Sequence, residues 1–233
     1  MDGKATWYER LEKLPVAVMS DVLTAMELPD QVLASAVHPF DANSVVAGPA
    51  LCLAGHEGYE RPIKAGVSKP VFAMDRQVTP GCVVVIASAG HRTGAMIGGN
   101  VALSWKVRGC KGVVTDGGVR DLAEFAAYGM PVFGAFATPM ATKGLWNFCN
   151  VDVPVLLPGQ TGSPVRIAPG DAIHGDRDGV VVIPAAHLEQ AVSDAEIFES
   201  MEKSIQRDLR TGEDREAVYR RYDKLAHIKP VGR

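Results

Sequence analysis

The sequence predicts an α/β fold, one domain with a C-terminal helical arm, and three observations carry that expectation. Between residues 82 and 136 short apolar runs alternate with helix-like stretches, the order that gives parallel strands joined by right-handed crossovers. From about residue 152 the chain becomes strand-rich, with Pro and Gly at its corners, as in VDVPVLLPG and SPVRIAPGDAIHGDRDGVVVIP. Its last stretch is polar and helix-like. The single domain is expected to span residues 1–233, with a core at about 15–184 and the arm at about 185–233.

Taken in order, residues 7–27 predict two helical pieces separated by Pro15, with Ser20-Asp21 resembling an N-cap before Val22-Leu23. Residues 45–55 and 82–88 are apolar runs bounded by Gly and Pro, hence strands. A helix over 96–108 follows the pair Gly98-Gly99, and 111–115 is a short strand. Residues 116–119 read as a turn and 120–128 as a helix, closed by Gly129 at its C′ position. Residues 132–136 form the next strand. Asp176-Arg177-Asp178-Gly179 marks a hairpin between two strands, and helices over 185–202 and 213–225 end the chain.

Composition narrows the class. Hydrophobic residues make up 47% of the chain and charged residues 22%, enough for a sizeable core. A net charge of −3 without a basic tract argues against nucleic-acid binding. The polar start MDGKATWYERLEKLP is unlike a secretory signal, and runs such as Val83–Ala87 are far too short to span a bilayer. Cys52, Cys82, Cys110 and Cys149 form no C-x-x-C pair, so neither a zinc ribbon nor a redox motif is expected. Cys52, Cys82 and Cys149 have apolar neighbours and are expected to be buried. A soluble, cytoplasmic protein with no membrane or nucleic-acid partner is expected.

The chemistry concentrates in GAMIGGNVALSWKVRGCKGVVTDGGVRDLAE, residues 94–124. Two glycine turns, Gly98-Gly99-Asn100 and Gly117-Gly118-Val119, each open a predicted helix, and the second delivers Arg120 and Asp121 with Glu124 three residues later. A helix N-terminus offers free N–H groups and a positive dipole end to an anion. A guanidinium and two carboxylates beside it suit a substrate carboxylate and a hard metal ion. On spacing alone, a surface helix with an acid in its first turn explains Arg120-Asp121 equally well.

With Asp116-Gly117-Gly118-Val119-Arg120-Asp121-Leu122-Ala123-Glu124 assembled, the chain resembles the RraA-like superfamily. The likeness is to its 4-hydroxy-4-methyl-2-oxoglutarate / 4-carboxy-4-hydroxy-2-oxoadipate aldolases, often labelled demethylmenaquinone methyltransferase-like. The family marker is a glycine, a fixed spacer, Arg-Asp, two residues and an acid, which Gly99, Arg120, Asp121 and Glu124 match. Ser20-Asp21-Val22-Leu23, Gly48-Pro49-Ala50 and the stretch from Pro169-Gly170-Asp171 to Pro184 extend the likeness. Two departures are Gly81-Cys82, where members often have Gly-Asp, and Ala89-Gly90-His91-Arg92, where they carry an acidic stretch.

The resemblance implies a layered α/β/β sandwich of the swivelling phosphohistidine-domain kind, assembled as a homotrimer or hexamer. It implies a class II pyruvate aldolase using Mg²⁺ or Mn²⁺, with oxaloacetate decarboxylation as a side activity. The alternative is an RraA-type regulator of ribonuclease activity without catalysis; such regulators lack the acid that follows the arginine. In the aldolase reading Asp121 is the direct metal ligand and Glu124 holds a water of the metal, since Mg²⁺ takes only one or two protein carboxylates. Arg120 pairs with the enolate oxygen or a carboxylate, while backbone N–H groups near Gly98, Gly99, Asn100 and Val101 receive the pyruvyl carboxylate.

Four further residues are candidates. Asp116 is read first as an Asx-turn residue and second as a metal ligand. His91, with Arg92, is either a substrate-binding group or part of a solvated loop. Glu199 and Glu202 share a helix face; in the family an acid from a neighbouring subunit's C-terminal region approaches the metal waters. A solvated helix explains either glutamate as well. A Schiff-base mechanism is not expected, because Lys106 and Lys111 lack a desolvated setting.

Overall fold

The computed structural model describes residues 3–58 and 70–231. Its first half runs α1 (Gly3–Leu11), α2 (Val16–Ala25), β1 (His38–Pro39), β2 (Val46–Glu57), α3 (Pro70–Asp75), β3 (Val83–Ala87), β4 (Ala95–Ile97) and α4 (Gly99–Val107). Then come β5 (Gly112–Thr115), β6 (Gly118–Val119), α5 (Leu122–Ala127), β7 (Val132–Gly134), β8 (Phe136–Ala137) and β9 (Trp146–Val151). The chain closes with β10 (Val155–Leu157), β11 (Val165–Ile167), β12 (Ala172–Asp176), β13 (Gly179–Ile183), α6 (Leu188–Arg210) and α7 (Arg215–Arg221).

The main sheet has the order β1-β7-β5-β3-β2-β12-β13, with β9 paired to β2. Strands β2, β3, β5 and β7 are parallel, as the alternating middle of the sequence predicts, whereas β12 and β13 form the antiparallel hairpin at Asp176–Gly179. The ends β1 and β13 approach one another, so the sheet curls until it is nearly closed. Residues alternate across it. Ala50, Cys52, Val83, Val85, Val114, Phe133, Ile173 and Val182 fill the inside, together with the β10–β11 hairpin. Leu51, Leu53, Val84, Ile86, Val113 and Val132 face outward beneath α3, α4 and α5. A separate outer cluster sets α1, α2 and α6 against Ala47, Ala172, Val181 and Ile183.

The expected helices, sheet and second β layer are therefore present, with several boundaries corrected. Ser20 and Asp21 lie inside α2, whose N-cap is Pro15 in extended conformation. The N–H of Val16 is satisfied from afar, donating to Asp176 Oδ2 at 2.9 Å. The predicted helix over 96–108 begins only at Gly99, because 95–97 are strand β4. Gly118–Val119 is strand rather than turn: β4, β6 and β8 form a small parallel sheet at the carboxyl ends of β3 and β5. The arm helix extends to Arg210, well past residue 202. Cys52, Cys82 and Cys110 are buried, but Cys149 is exposed, because β9 turns that residue outward.

Candidate active site

Strand β6 carries the site outward. Its last ladder bond runs from the Arg120 N–H to the Ile97 carbonyl of β4 at 3.2 Å, after which the chain must turn sharply into α5. Asp121 makes that turn at φ 60°, ψ 37°, a left-handed conformation that Asp tolerates better than most residues and that costs about 1 kcal/mol or more when held by a non-glycine. Asp121 is the N-cap of α5 by backbone alone. Its carbonyl accepts from Glu124 N at 2.9 Å, yet its side chain caps nothing in α5. The carboxylate turns instead to α4, where Oδ2 accepts the Gly99 N–H at 2.9 Å and stands 3.5 Å from Arg120 Nε.

This corrects one detail. The Gly99 N–H is committed to Asp121, and among the described residues the Asn100 and Val101 N–H groups of the α4 N-terminus have no such partner. Two glycines make the approach possible. A Cβ on Gly98 would stand 2.6 Å from Asp121 Oδ2, and one on Gly99 would fall on the Glu124 carboxylate. Arg120, Asp121 and Glu124 thus converge over the Gly98-Gly99 turn. Arg120 and Asp121 are about two-fifths exposed, so the site lies open on this chain.

A residue absent from the sequence expectation joins them. Tyr128, one helical turn beyond Glu124, donates its phenol proton to Glu124 Oε2 at 3.1 Å. Loss of solvent, that bond and the charges of Glu124 and Asp121 raise the phenol pKa. The i, i+4 spacing of Glu124 and Tyr128 was the available signal.

The other candidates have different surroundings. Asp116 organises a neighbour rather than its own turn: Oδ1 accepts Ser88 N at 2.6 Å, tying the ends of β3 and β5, while Thr115 Oγ1 receives the Gly117 N–H. Burial raises the Asp116 pKa, opposed by the Ser88 hydrogen bond and the Arg92 charge. His91 is neither solvated nor open to a ligand. It is buried, with Nδ1 2.8 Å from Glu57 Oε1 and Nε2 accepting Gly94 N, so it pins the loop before β4. Glu199 pairs with Lys203 and Glu202 with Lys224, on α6, which packs on α1, α2 and α7 away from α4 and α5. Lys106 donates to the Gly129 carbonyl and Lys111 pairs with Glu12, so neither is a buried amine.

Among the described residues no three His, Cys, Asp or Glu side chains converge as a ready-made metal cage. What the site offers a cation is the pair Asp121 and Glu124 above a floor without side chains. That suits Mg²⁺ or Mn²⁺, which keep most of their waters. A cavity of about 270 Å³ lies on the other flank of α5, between Phe40–Val45 and Gly129–Val132, and none of the converging residues lines it. No helix among the described residues is long and apolar enough to cross a membrane.

Comparison with known proteins gives a consistent picture. Residues 16–182 match the RraA-like model, described as Aldolase/RraA. A Halalkalibacterium halodurans protein named "Putative 4-hydroxy-4-methyl-2-oxoglutarate aldolase" is 30% identical over 196 residues, covering 84% of this chain and 85% of that one. A Burkholderia multivorans protein of the same name is 32% identical over 152 residues, 65% of this chain and 84% of its own. Among solved structures, Streptomyces coelicolor RraAS2, described as an unusual member of the RNase ES inhibitor RraA protein family, has a TM-score of 0.74. It is 26% identical, with 89% of this chain and 98% of that one covered. An uncharacterized Pseudomonas syringae protein shares the fold at a TM-score of 0.80 and 23% identity, over 94% of both chains.

Proposed function

The chain belongs to the RraA-like family, and on that premise we propose that it is a divalent-metal-dependent pyruvate aldolase. Its substrate in this reading is a 4-hydroxy-2-oxo acid such as 4-hydroxy-4-methyl-2-oxoglutarate or 4-carboxy-4-hydroxy-2-oxoadipate, and oxaloacetate decarboxylation is a side activity. The observation that carries the reading is the convergence of Arg120, Asp121 and Glu124 over the Gly98-Gly99 turn.

The reaction releases the proton of the C4 hydroxyl, breaks C3–C4 and moves that electron pair into the 2-oxo group. The resulting enolate takes a proton at C3 to give pyruvate. The Asn100 and Val101 N–H groups receive the pyruvyl carboxylate at the positive end of α4. Arg120 meets the charge that develops on the 2-oxo oxygen, a contact worth ~2.7–4 kcal/mol in the transition state by analogy with oxyanion donors. Mg²⁺ or Mn²⁺, held by Asp121 directly and by Glu124 through water, would add the electrophile and fix the chelated geometry. Oxaloacetate gives the same enolate on losing CO₂, so one site serves both reactions. Its open face is completed, in this proposal, by a second subunit of a homotrimer or hexamer.

A second reading is supported by the likeness to RraAS2: a ribonuclease regulator without catalysis. The acids at 121 and 124 weigh against it. Pyruvate release from 4-hydroxy-4-methyl-2-oxoglutarate and from oxaloacetate, measured with Mg²⁺, Mn²⁺ or EDTA, separates the two. Turnover with metal, abolished by EDTA and lowered at least about a hundredfold by Arg120→Ala, is expected. No pyruvate from either substrate would sink the aldolase reading.

A further inference from the structure

Glu124 has a demanding place. Its carboxylate lies over Gly99 on the outer face of a helix only six residues long, in solvent, where a glutamate has several rotamers of similar energy. Nothing in the helix backbone selects one of them. The selecting contact comes from the end of the same helix. Tyr128, the C-cap residue of α5, stacks one turn above Glu124 and donates its phenol to Oε2 at 3.1 Å. The rigid aromatic side chain has two torsions, so it can hold a flexible carboxylate at modest entropic cost.

We propose that Tyr128 is a positioning residue of this site, whose phenol fixes the Glu124 carboxylate over Gly99, where it can serve the cation. Backbone and ring cooperate here. Gly99 clears the space that Glu124 enters, and Tyr128 keeps Glu124 in it. The phenol touches no reacting atom; it acts through Glu124 alone. The inference rests on the reading that Asp121 and Glu124 serve a divalent cation.

A double-mutant cycle tests it on the full-length protein with Tyr128→Phe, Glu124→Ala and the double variant. Two quantities are read: Mn²⁺ affinity by calorimetry, and kcat and KM for pyruvate release. Tyr128→Phe keeps the ring, and an unchanged thermal midpoint confirms the fold. We expect Mn²⁺ affinity and kcat to fall by about three- to tenfold, the range for one partly exposed hydrogen bond, with KM little changed. In the Glu124→Ala background the same substitution should change neither quantity. Equal losses in both backgrounds would mean that Tyr128 acts without Glu124, and no loss in either would mean that it acts on nothing; each result overturns the inference. A wild-type protein that binds Mn²⁺ but releases no pyruvate would remove the aldolase reading, while the Mn²⁺ cycle would still decide on Tyr128. A wild-type protein that binds no Mn²⁺ overturns both.

Discussion

Gly99 is the residue on which the site's geometry can be tested most directly. It has no side chain because the Glu124 carboxylate occupies the space where a Cβ would be. Gly99→Ala must therefore displace Glu124, α4 or both, and a misplacement of about 1 Å costs on the order of a hundredfold in rate. We expect that loss in kcat/KM for pyruvate release, with the thermal midpoint within a few degrees of wild type because the displaced group is the far end of the exposed, flexible Glu124 side chain. Full activity in Gly99→Ala would show that Glu124 need not sit where the structure puts it. Much of the site was legible at this scale. The spacing of Gly99, Arg120, Asp121 and Glu124 named four residues that do converge. The sequence did not show that Asp121 stands in a left-handed turn and bonds backward to α4, because local preference would cap α5 with that side chain instead. Nor did it show His91 buried, since its partner Glu57 is 34 residues away.

Among the elements, β12 carries the clearest pH-sensitive contact. His174 is wholly buried between this strand and the α1–α2 layer, and among the described residues neither ring nitrogen has a partner at ordinary hydrogen-bond geometry, the Leu14 backbone lying nearby. Burial pushes its pKa down to about 4, against weaker opposing pulls from the Leu14 backbone and the Glu12 charge. In the unfolded chain the imidazole titrates near its ordinary value of 6.5. Between those values the unfolded state binds the extra proton, so this group's stabilisation is complete above about pH 6.5 and is lost as pH falls toward 4. The loss amounts to about 3 kcal/mol. Urea midpoints measured from pH 7.5 to 4.5 should fall steeply for wild type and less for His174→Leu; parallel curves would place the acid sensitivity elsewhere. The elements themselves were unequally legible. The DRDG hairpin and the parallel β3 and β5 follow from local pattern. So does the helix break at Pro15, but the capping of α2 does not, because its first N–H is held by Asp176 across 160 residues of chain. Strand β6 was missed because its two residues, Gly118 and Val119, look like a turn until β4 and β8 flank them.

For the whole molecule, the order of elements was readable from residue pattern and the layering came with the family resemblance, while curling of the sheet until β1 meets β13 depends on side chains far apart, such as Phe133 packing against Gly175. The same scale bears on assembly. An enolate reaction needs a site shielded from bulk water, yet Arg120 and Asp121 stand about two-fifths exposed on one chain. Helix α4, whose N-terminus forms the site floor, turns Leu103 and Val107 outward one turn apart, 41% and 80% exposed. An apolar pair on the outer face of the helix that floors the site fits burial against a second copy better than permanent contact with water. In the proposed trimer or hexamer, Val107→Glu would place a charge in that contact and cost several kcal/mol per interface. Light scattering should then show wild type as a trimer or hexamer and Val107→Glu shifted toward monomer. Pyruvate release should fall with it at low protein concentration and recover as concentration rises. A wild-type monomer with full turnover would show instead that the open face works uncovered, and would leave Leu103 and Val107 without a role in catalysis.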